Sequence, residues 1–167
     1  WDQSMNVYPH LRMSPQESRL EWRAPAGWKL KFAHLEHEKT VLDWQGSEIP
    51  FIGFDELTHF SESQFFYMLS RNRSTSGVPG YVRATTNPDP DSWVRTFIDW
   101  WIGDDGFPVK ERSGIVRYFV RINDEIMWSS TKEEIFERFG RGPEIQPKSV
   151  TFIAANVYDN KILLEKN

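Results

Sequence analysis

Ile49-Pro50-Phe51-Ile52-Gly53-Phe54-Asp55-Glu56 is an unbroken apolar run that ends in two adjacent carboxylates. A continuous run of this kind, unlike the alternation of a sheet with one wet face, is the pattern of a strand buried on both faces in a parallel sheet. Downstream, Leu57 to Phe60 reads as a loop, and Ser61-Glu62-Ser63-Gln64 is a capping box. In such a box the Ser61 hydroxyl and the Gln64 amide satisfy the orphan amides at a helix end. The helix it opens carries Phe65, Phe66, Met68 and Leu69, and the polar, turn-rich stretch from Arg71 to Gly80 stops it. Tyr81 to Thr86 is then a second short strand, closing on Asn87-Pro88. About 30 residues between the two strand ends match a crossover connection, which places both ends on the same edge of a parallel sheet. The sequence therefore predicts an α/β fold with a mainly parallel central sheet and β-hairpins around it.

Upstream of this unit, Trp1, Met5 and Tyr8 fall at helical spacing, and Pro9 to Pro15 reads as a connection. Ser18 to Arg23 and Trp28 to Leu35 alternate polar and apolar around Pro25-Ala26-Gly27 and predict a hairpin; Thr40 to Trp44 reads as a third extended run. Beyond it, Asp89-Pro90-Asp91-Ser92 is a helix start, with an aromatic helix expected from Trp93 to about Ile102. Ile115 to Arg121 and Glu125 to Trp128 predict a hairpin around Asn123-Asp124. Thr131-Lys132-Glu133-Glu134 is a second capping box, opening a helix with Ile135, Phe136 and Phe139 inward and Gly140 at its end; Val150 to Ala155 reads as a last strand. The chain opens at Trp1 in what reads as the last turns of a helix, and Asn160 to Glu165 reads as the start of another. Both ends predict a piece of a longer protein.

Composition narrows the functional classes. Of 167 residues, 39% are hydrophobic and 26% charged, a balance that excludes disorder as the main state and supports one ordinary core. Twenty basic against 24 acidic residues give a net charge of −4, so any DNA contact must be local. The absence of Cys excludes disulfides, thiolate metal sites and cysteine nucleophiles. No apolar stretch approaches the roughly 20 residues of a membrane span, and a soluble intracellular protein is expected. The aromatic share, 15% with eight Trp, reads as core and interface anchors; Trp93, Phe97, Trp100 and Trp101 are expected to pack against a sheet or a missing domain.

Ligands of open α/β sheets bind outside the carboxyl ends of the strands, so Asp55, Glu56, Thr85, Thr86 and Asn87 are predicted to line one crevice. Nucleotide hydrolysis needs a carboxylate that holds Mg²⁺ and a second group that orients or deprotonates the attacking water, and Asp55 and Glu56 are placed for these roles. A hydroxyl or amide on the adjacent strand, from Thr85, Thr86 or Asn87, can sense the γ-phosphate and move its loop. Arg71, Arg73 and Arg83 lie near the ends of the flanking elements, where one of them is placed to stabilise phosphate charge in its own or a neighbouring subunit. His34, His37 and His59 offer no convergent metal set. A phosphate cradle, G-x-x-x-x-G-K-[ST], is absent from these residues, so the nucleotide reading places it upstream of Trp1.

The segments Phe51 to Phe60, Phe65 to Ser74 and Arg83 to Trp93, in this order and spacing, resemble the large terminase subunit of tailed bacteriophages. Phe32 to Glu36, Gln45-Gly46, Arg117 to Phe119 and Ser149 to Ile153 extend the resemblance over most of the chain. It implies that residues 1–167 are a fragment of the later part of an N-terminal ATPase domain of P-loop NTPase-type, three-layer fold, truncated at both ends and inactive alone. It further implies an ATP- and Mg²⁺-dependent motor that threads double-stranded DNA into procapsids, in the cytoplasm of the bacterial host. The partners implied are the portal protein, the small terminase subunit and other copies of itself in a ring, with no membrane. By the same resemblance Asp55 matches the Mg²⁺-associated acid of the Walker B motif, Glu56 the catalytic glutamate, and Thr85, Thr86 and Asn87 the coupling motif. The family's P-loop and nuclease carboxylates have no counterpart here. Two alternatives compete: a fragment of a nucleic-acid helicase, distinguished by the segment after Asn87, and a β-rich binding module, which requires Ile49–Phe54 to be antiparallel with its acidic end away from Thr85–Asn87.

Overall fold

The computed structural model describes residues 1–87, 89–159, 161 and 165, and within it the chain divides into two compact units, Trp1–Asn87 and Pro88–Asn167. The helix start expected at 160–165 lies outside the described residues apart from 161 and 165.

In the first unit, β1 (Ser14–Gln16), β2 (Glu21–Arg23) and β3 (Lys29–Lys31) form an antiparallel sheet in that order. The hairpin read from alternation is β2–β3, with Trp22 opposite Leu30, although each strand is shorter than the alternating run. Trp22 is fully buried; Trp1 and Tyr8 each bring a ring to 5.4 Å from it, and its indole N–H donates to Ser4 Oγ. The opening helix is not formed. Asp2–Asn6 and Tyr8–Leu11 are separate 3₁₀ turns, because Pro9 has no N–H to continue a helical ladder and Arg12 closes the second turn in the left-handed region. Thr40–Trp44 is likewise not extended but part of a 3₁₀ segment, Glu38–Trp44; buried Val41 and half-buried Trp44 sit three residues apart, one turn of such a helix.

The decisive stretch forms β4 (Phe51–Phe54), parallel to β5 (Tyr81–Ala84), with Phe51 opposite Tyr81 and Phe54 opposite Ala84. Between them runs α1 (Glu62–Arg71), opened by the full capping box: Ser61 Oγ accepts the Gln64 N–H at 3.1 Å and Gln64 Oε1 accepts the Ser61 N–H at 3.0 Å. Gln64 is buried, and its side-chain amide also donates to the carbonyls of Leu35 and His37, tying the helix start to the preceding segment. Two expectations fail here. β4 is buried on one face only: Ile52 and Phe54 are covered, with Phe65 of α1 at 5.5 Å from Phe54, whereas Phe51 and Gly53 are exposed and Phe51 pairs with Tyr81 at 5.0 Å. Moreover, among the described residues the mainly parallel sheet reduces to this one pair; the fold is α/β, but the other two sheets described are antiparallel.

In the second unit, Ser92 caps α2 (Trp93–Phe97) by accepting the Arg95 N–H, and a 3₁₀ turn, Asp99–Trp101, replaces the rest of the expected aromatic helix. β-Branched Val94, Thr96 and Ile98 in succession weaken helix continuation there. β6 (Val116–Ile122) is central, with β7 (Glu125–Ser129) and β8 (Lys148–Thr151) antiparallel on its two sides. Asn123 and Asp124, both at positive φ, make the two-residue turn of the β6–β7 hairpin. The aromatics pack as expected: Phe97 lies 5.5 Å from Phe119, and Trp101, 1% exposed, lies 5.8 Å from Trp128. α3 (Lys132–Phe139) seats fully buried Ile135 with Val120 and Ile145, and Gly140 ends it at φ 82. Thr131 caps it as expected, its Oγ1 accepting the Glu134 N–H, while the Glu134 carboxylate accepts from the Ser129 hydroxyl and from the Ser130 N–H, one residue before the cap. These bonds hold the Glu134 carboxyl below the ordinary carboxylate range.

Candidate functional site

The carboxyl ends of β4 and β5 are joined beyond their last ladder residues. The Thr85 N–H donates to the Phe54 carbonyl at 3.0 Å and the Leu57 N–H to the Thr85 carbonyl at 2.8 Å, so the chain immediately around Asp55 and Glu56 is held to the neighbouring strand. Leu57 is buried, which anchors the exit of the turn in the core. Against this frame the Thr85 hydroxyl donates to Asp55 Oδ1 at 2.7 Å and accepts the Glu56 N–H at 3.1 Å. One hydroxyl therefore contacts both acidic positions, using its single hydrogen on the carboxylate and a lone pair on the amide.

Glu56 adopts the left-handed conformation, φ 54 and ψ 65, which costs a side chain with Cβ about 1 kcal/mol or more. It caps the 3₁₀ turn Leu57–His59, in which the His59 N–H donates to the Glu56 carbonyl. His59 Nδ1 lies 3.1 Å from Glu56 Oε2. Both side chains are largely solvent-accessible, as groups that meet a diffusing substrate must be. Thr86 is turned to local use, its hydroxyl donating to the Asn87 carbonyl at 3.1 Å, and Asn87 is exposed.

Arg71 and Arg73 are not brought to these residues. α1 runs back along β4 for about 15 Å, ten residues at the helical rise, and so delivers its C-terminal end to the start of the strands. There the Arg71 carbonyl accepts the Ile49 N–H, the Arg71 guanidinium lies over Tyr67, and Arg73 Nε sits 4.0 Å from Glu48 Oε1. Arg83 is exposed beside Tyr81. Asn72, which no motif pointed to, does the structural work at this end: its amide nitrogen lies within 3.2 Å of the carbonyls of Ile49, Pro50 and Tyr81, joining the starts of both strands. Likewise the bond between His59 and Glu56 was not anticipated; the Glu-x-x-His spacing was its only signal.

No group of three or more His, Asp or Glu side chains that could hold a metal ion occurs among the described residues. The donors at Asp55 still suit one hard cation. Thr85 occupies Oδ1, no described residue hydrogen-bonds Oδ2, and Mg²⁺ characteristically takes one or two carboxylates while keeping much of its water. At the start of α1, Glu38 is held below the ordinary carboxylate range, chiefly by the Ser61 hydroxyl and then by Ser63, and it belongs to the cap rather than to this edge.

The chain is an α/β protein whose parallel strand–helix–strand unit gathers two acids and a hydroxyl at its carboxyl edge, where ligands of open α/β sheets bind. The sequence model of the terminase large subunit, T4likevirus-type, N-terminal, matches residues 8–163, and the chain belongs to that family. Membership implies a role in phage DNA packaging within a family that generally hydrolyses ATP. Comparison with curated proteins and with solved structures finds no match. The family replaces the helicase alternative, and the β-rich binding module loses its premise, since β4 is parallel to β5 and Asp55 touches Thr85. No helix among the described residues is long and apolar enough to cross a membrane.

Proposed function

We propose that residues 1–167 are the later part of the ATPase domain of a DNA-packaging motor, of P-loop NTPase-type fold, and that Asp55, Glu56 and Thr85 form its hydrolytic edge. The observation that carries this reading is the Thr85 hydroxyl bound to both the Asp55 carboxylate and the Glu56 amide. Asp55 would hold Mg²⁺, which would neutralise phosphate charge. Glu56 orients and deprotonates the attacking water; its exposed carboxylate has room for one. Thr85 reports on this edge: a phosphate that competes for its hydroxyl loosens Asp55 and the Glu56 amide together, so hydrolysis becomes motion of the β5 end. Thr86 and Asn87 complete this coupling segment. The phosphates are cradled by another segment of the motor, since G-x-x-x-x-G-K-[ST] does not occur here. Arg71 and Arg73, at the far end of the strands, serve an adjoining surface, such as a neighbouring copy in the ring, rather than this edge. Double-stranded DNA, the portal protein and the small terminase subunit are the partners on this reading, in the host cytoplasm.

The test uses the full-length protein. Glu56→Gln is expected to leave ATP binding within about threefold of wild type and to lower turnover by at least about 100-fold, the contribution of a general base. Asp55→Asn should weaken the response of turnover to Mg²⁺. Near-normal turnover in Glu56→Gln rejects the assignment.

A further inference from the structure

We propose that His59 is a positioning residue for Glu56, holding one carboxylate oxygen so that the other is presented to the attacking water; this rests on the reading of Glu56 above. The turn leading into the 3₁₀ segment Leu57–His59 is closed by the His59 N–H, which donates to the Glu56 carbonyl at 2.9 Å and brings the two residues together. Its backbone is fixed at three points: the Glu56 N–H on Thr85 Oγ1, the Leu57 N–H on the Thr85 carbonyl, and the Leu57 side chain in the core. His59 is thereby kept beside Glu56, and Nδ1 stands 3.1 Å from Oε2. With hydrogen on Nδ1, the imidazole donates to that oxygen. No described residue hydrogen-bonds Oε1.

Such a bond matters at this position because no other described residue hydrogen-bonds the carboxylate. Glu56 is exposed, has three side-chain torsions, and starts from a left-handed backbone. Thr85 holds the amide and not the carboxylate. A glutamate free to rotate spends little of its time in the geometry that takes a proton from water, and a misplacement of about 1 Å can cost on the order of 100-fold in rate.

The atom that acts can be identified by substitution. Nδ1 is bonded directly to Cγ, as is the side-chain nitrogen of asparagine, whereas the glutamine nitrogen lies one bond farther out. In the full-length protein, His59→Leu is expected to lower kcat for ATP by about tenfold to 100-fold with KM within about twofold. His59→Asn should recover kcat to within about threefold of wild type, and His59→Gln should not. The exposed position predicts unchanged folding, checked by thermal melting of each variant. Full turnover in His59→Leu, equal losses in the Leu and Asn variants, or a loss confined to KM would each overturn the proposal. Glu56→Gln, measured alongside, separates the two readings. If it is inactive while His59→Leu is normal, only the positioning role fails; if it is active, the assignment of Glu56 fails.

Discussion

Thr85 donates its hydroxyl hydrogen to Asp55 across thirty residues of chain, Oγ1 to Oδ1 at 2.7 Å. The contact exists because β4 and β5 are parallel and in register, Phe54 opposite Ala84, so the next residue of each strand meets the other at the same edge. The same oxygen receives the Glu56 amide, which links Asp55, Glu56 and the adjacent strand through one group that serine shares and valine lacks.

Thr85→Val keeps the shape and removes the bridge. It should destabilise the protein by about 1 kcal/mol, the net value of an accessible hydrogen bond, whereas Thr85→Ser should cost less. Urea denaturation of the three proteins checks the order; equal stability of the Val and wild-type forms contradicts the bridge.

Glu56 pays for its position with a strained backbone. Asparagine tolerates the left-handed region better than glutamate, so Glu56→Asn should raise the midpoint of thermal unfolding, by a stability gain of about 0.5–1 kcal/mol, while turnover of the full-length protein is lost. A lower melting temperature would show that the left-handed conformation carries no strain.

Asn72→Ala deletes the amide that joins the starts of β4 and β5. A loss of about 0.5–1.5 kcal/mol is expected, the net value of a hydrogen bond whose carbonyl partners water can reach. Hydrogen exchange should quicken at the Tyr81 amide, which donates to the Pro50 carbonyl beside the deleted group.

Glu134 predicts an acid-labile second unit. Its carboxyl lies below the ordinary glutamate value of 4.5, first through the Ser129 hydroxyl and then through the Ser130 amide. A carboxyl depressed in the folded state stabilises fully above its unfolded value and loses that contribution as pH falls from about 4.5 through the folded value. Wild type should therefore melt above Glu134→Gln at pH 7, with the gap closing below pH 4.5. A gap constant down to pH 3 would contradict the ionised pairing.

Ile135 is fully buried among Val120, Ile145 and the neighbouring aromatics. Ile135→Ala should cost about 2–5 kcal/mol in denaturant unfolding, the transfer loss plus the cavity left behind. A cost below 1 kcal/mol would mean that the second unit has another core.

Local chemistry was legible in the residues themselves. The Ser61–Gln64 box, the Asn123-Asp124 turn and the Gly140 stop depend on atoms within a few residues of one another, and all three form. The parallel pair was also readable, because an apolar run, a capped helix and a second run about 30 residues on leave a crossover as the economical connection. The extended reading misled at Thr40–Trp44, where two apolar residues three apart serve a 3₁₀ turn, and helical spacing misled at Trp1–Tyr8, where Pro9 interrupts the ladder. The extent of the parallel sheet and the single buried face of β4 depend on which other strands come alongside, which no local pattern encodes.

By itself the sequence determined the order of the chemical groups: two acids after an apolar run, and hydroxyls after the next, in the spacing of the terminase large subunit. Tertiary structure alone decided what each of them touches. Register put one threonine hydroxyl on both acidic positions, the return of α1 carried Arg71 and Arg73 to the opposite end, and a 3₁₀ turn set His59 against Glu56. The reason is geometric: composition and spacing specify groups, but a hydrogen bond requires atoms within about 3 Å, and only the packed chain sets distances that small.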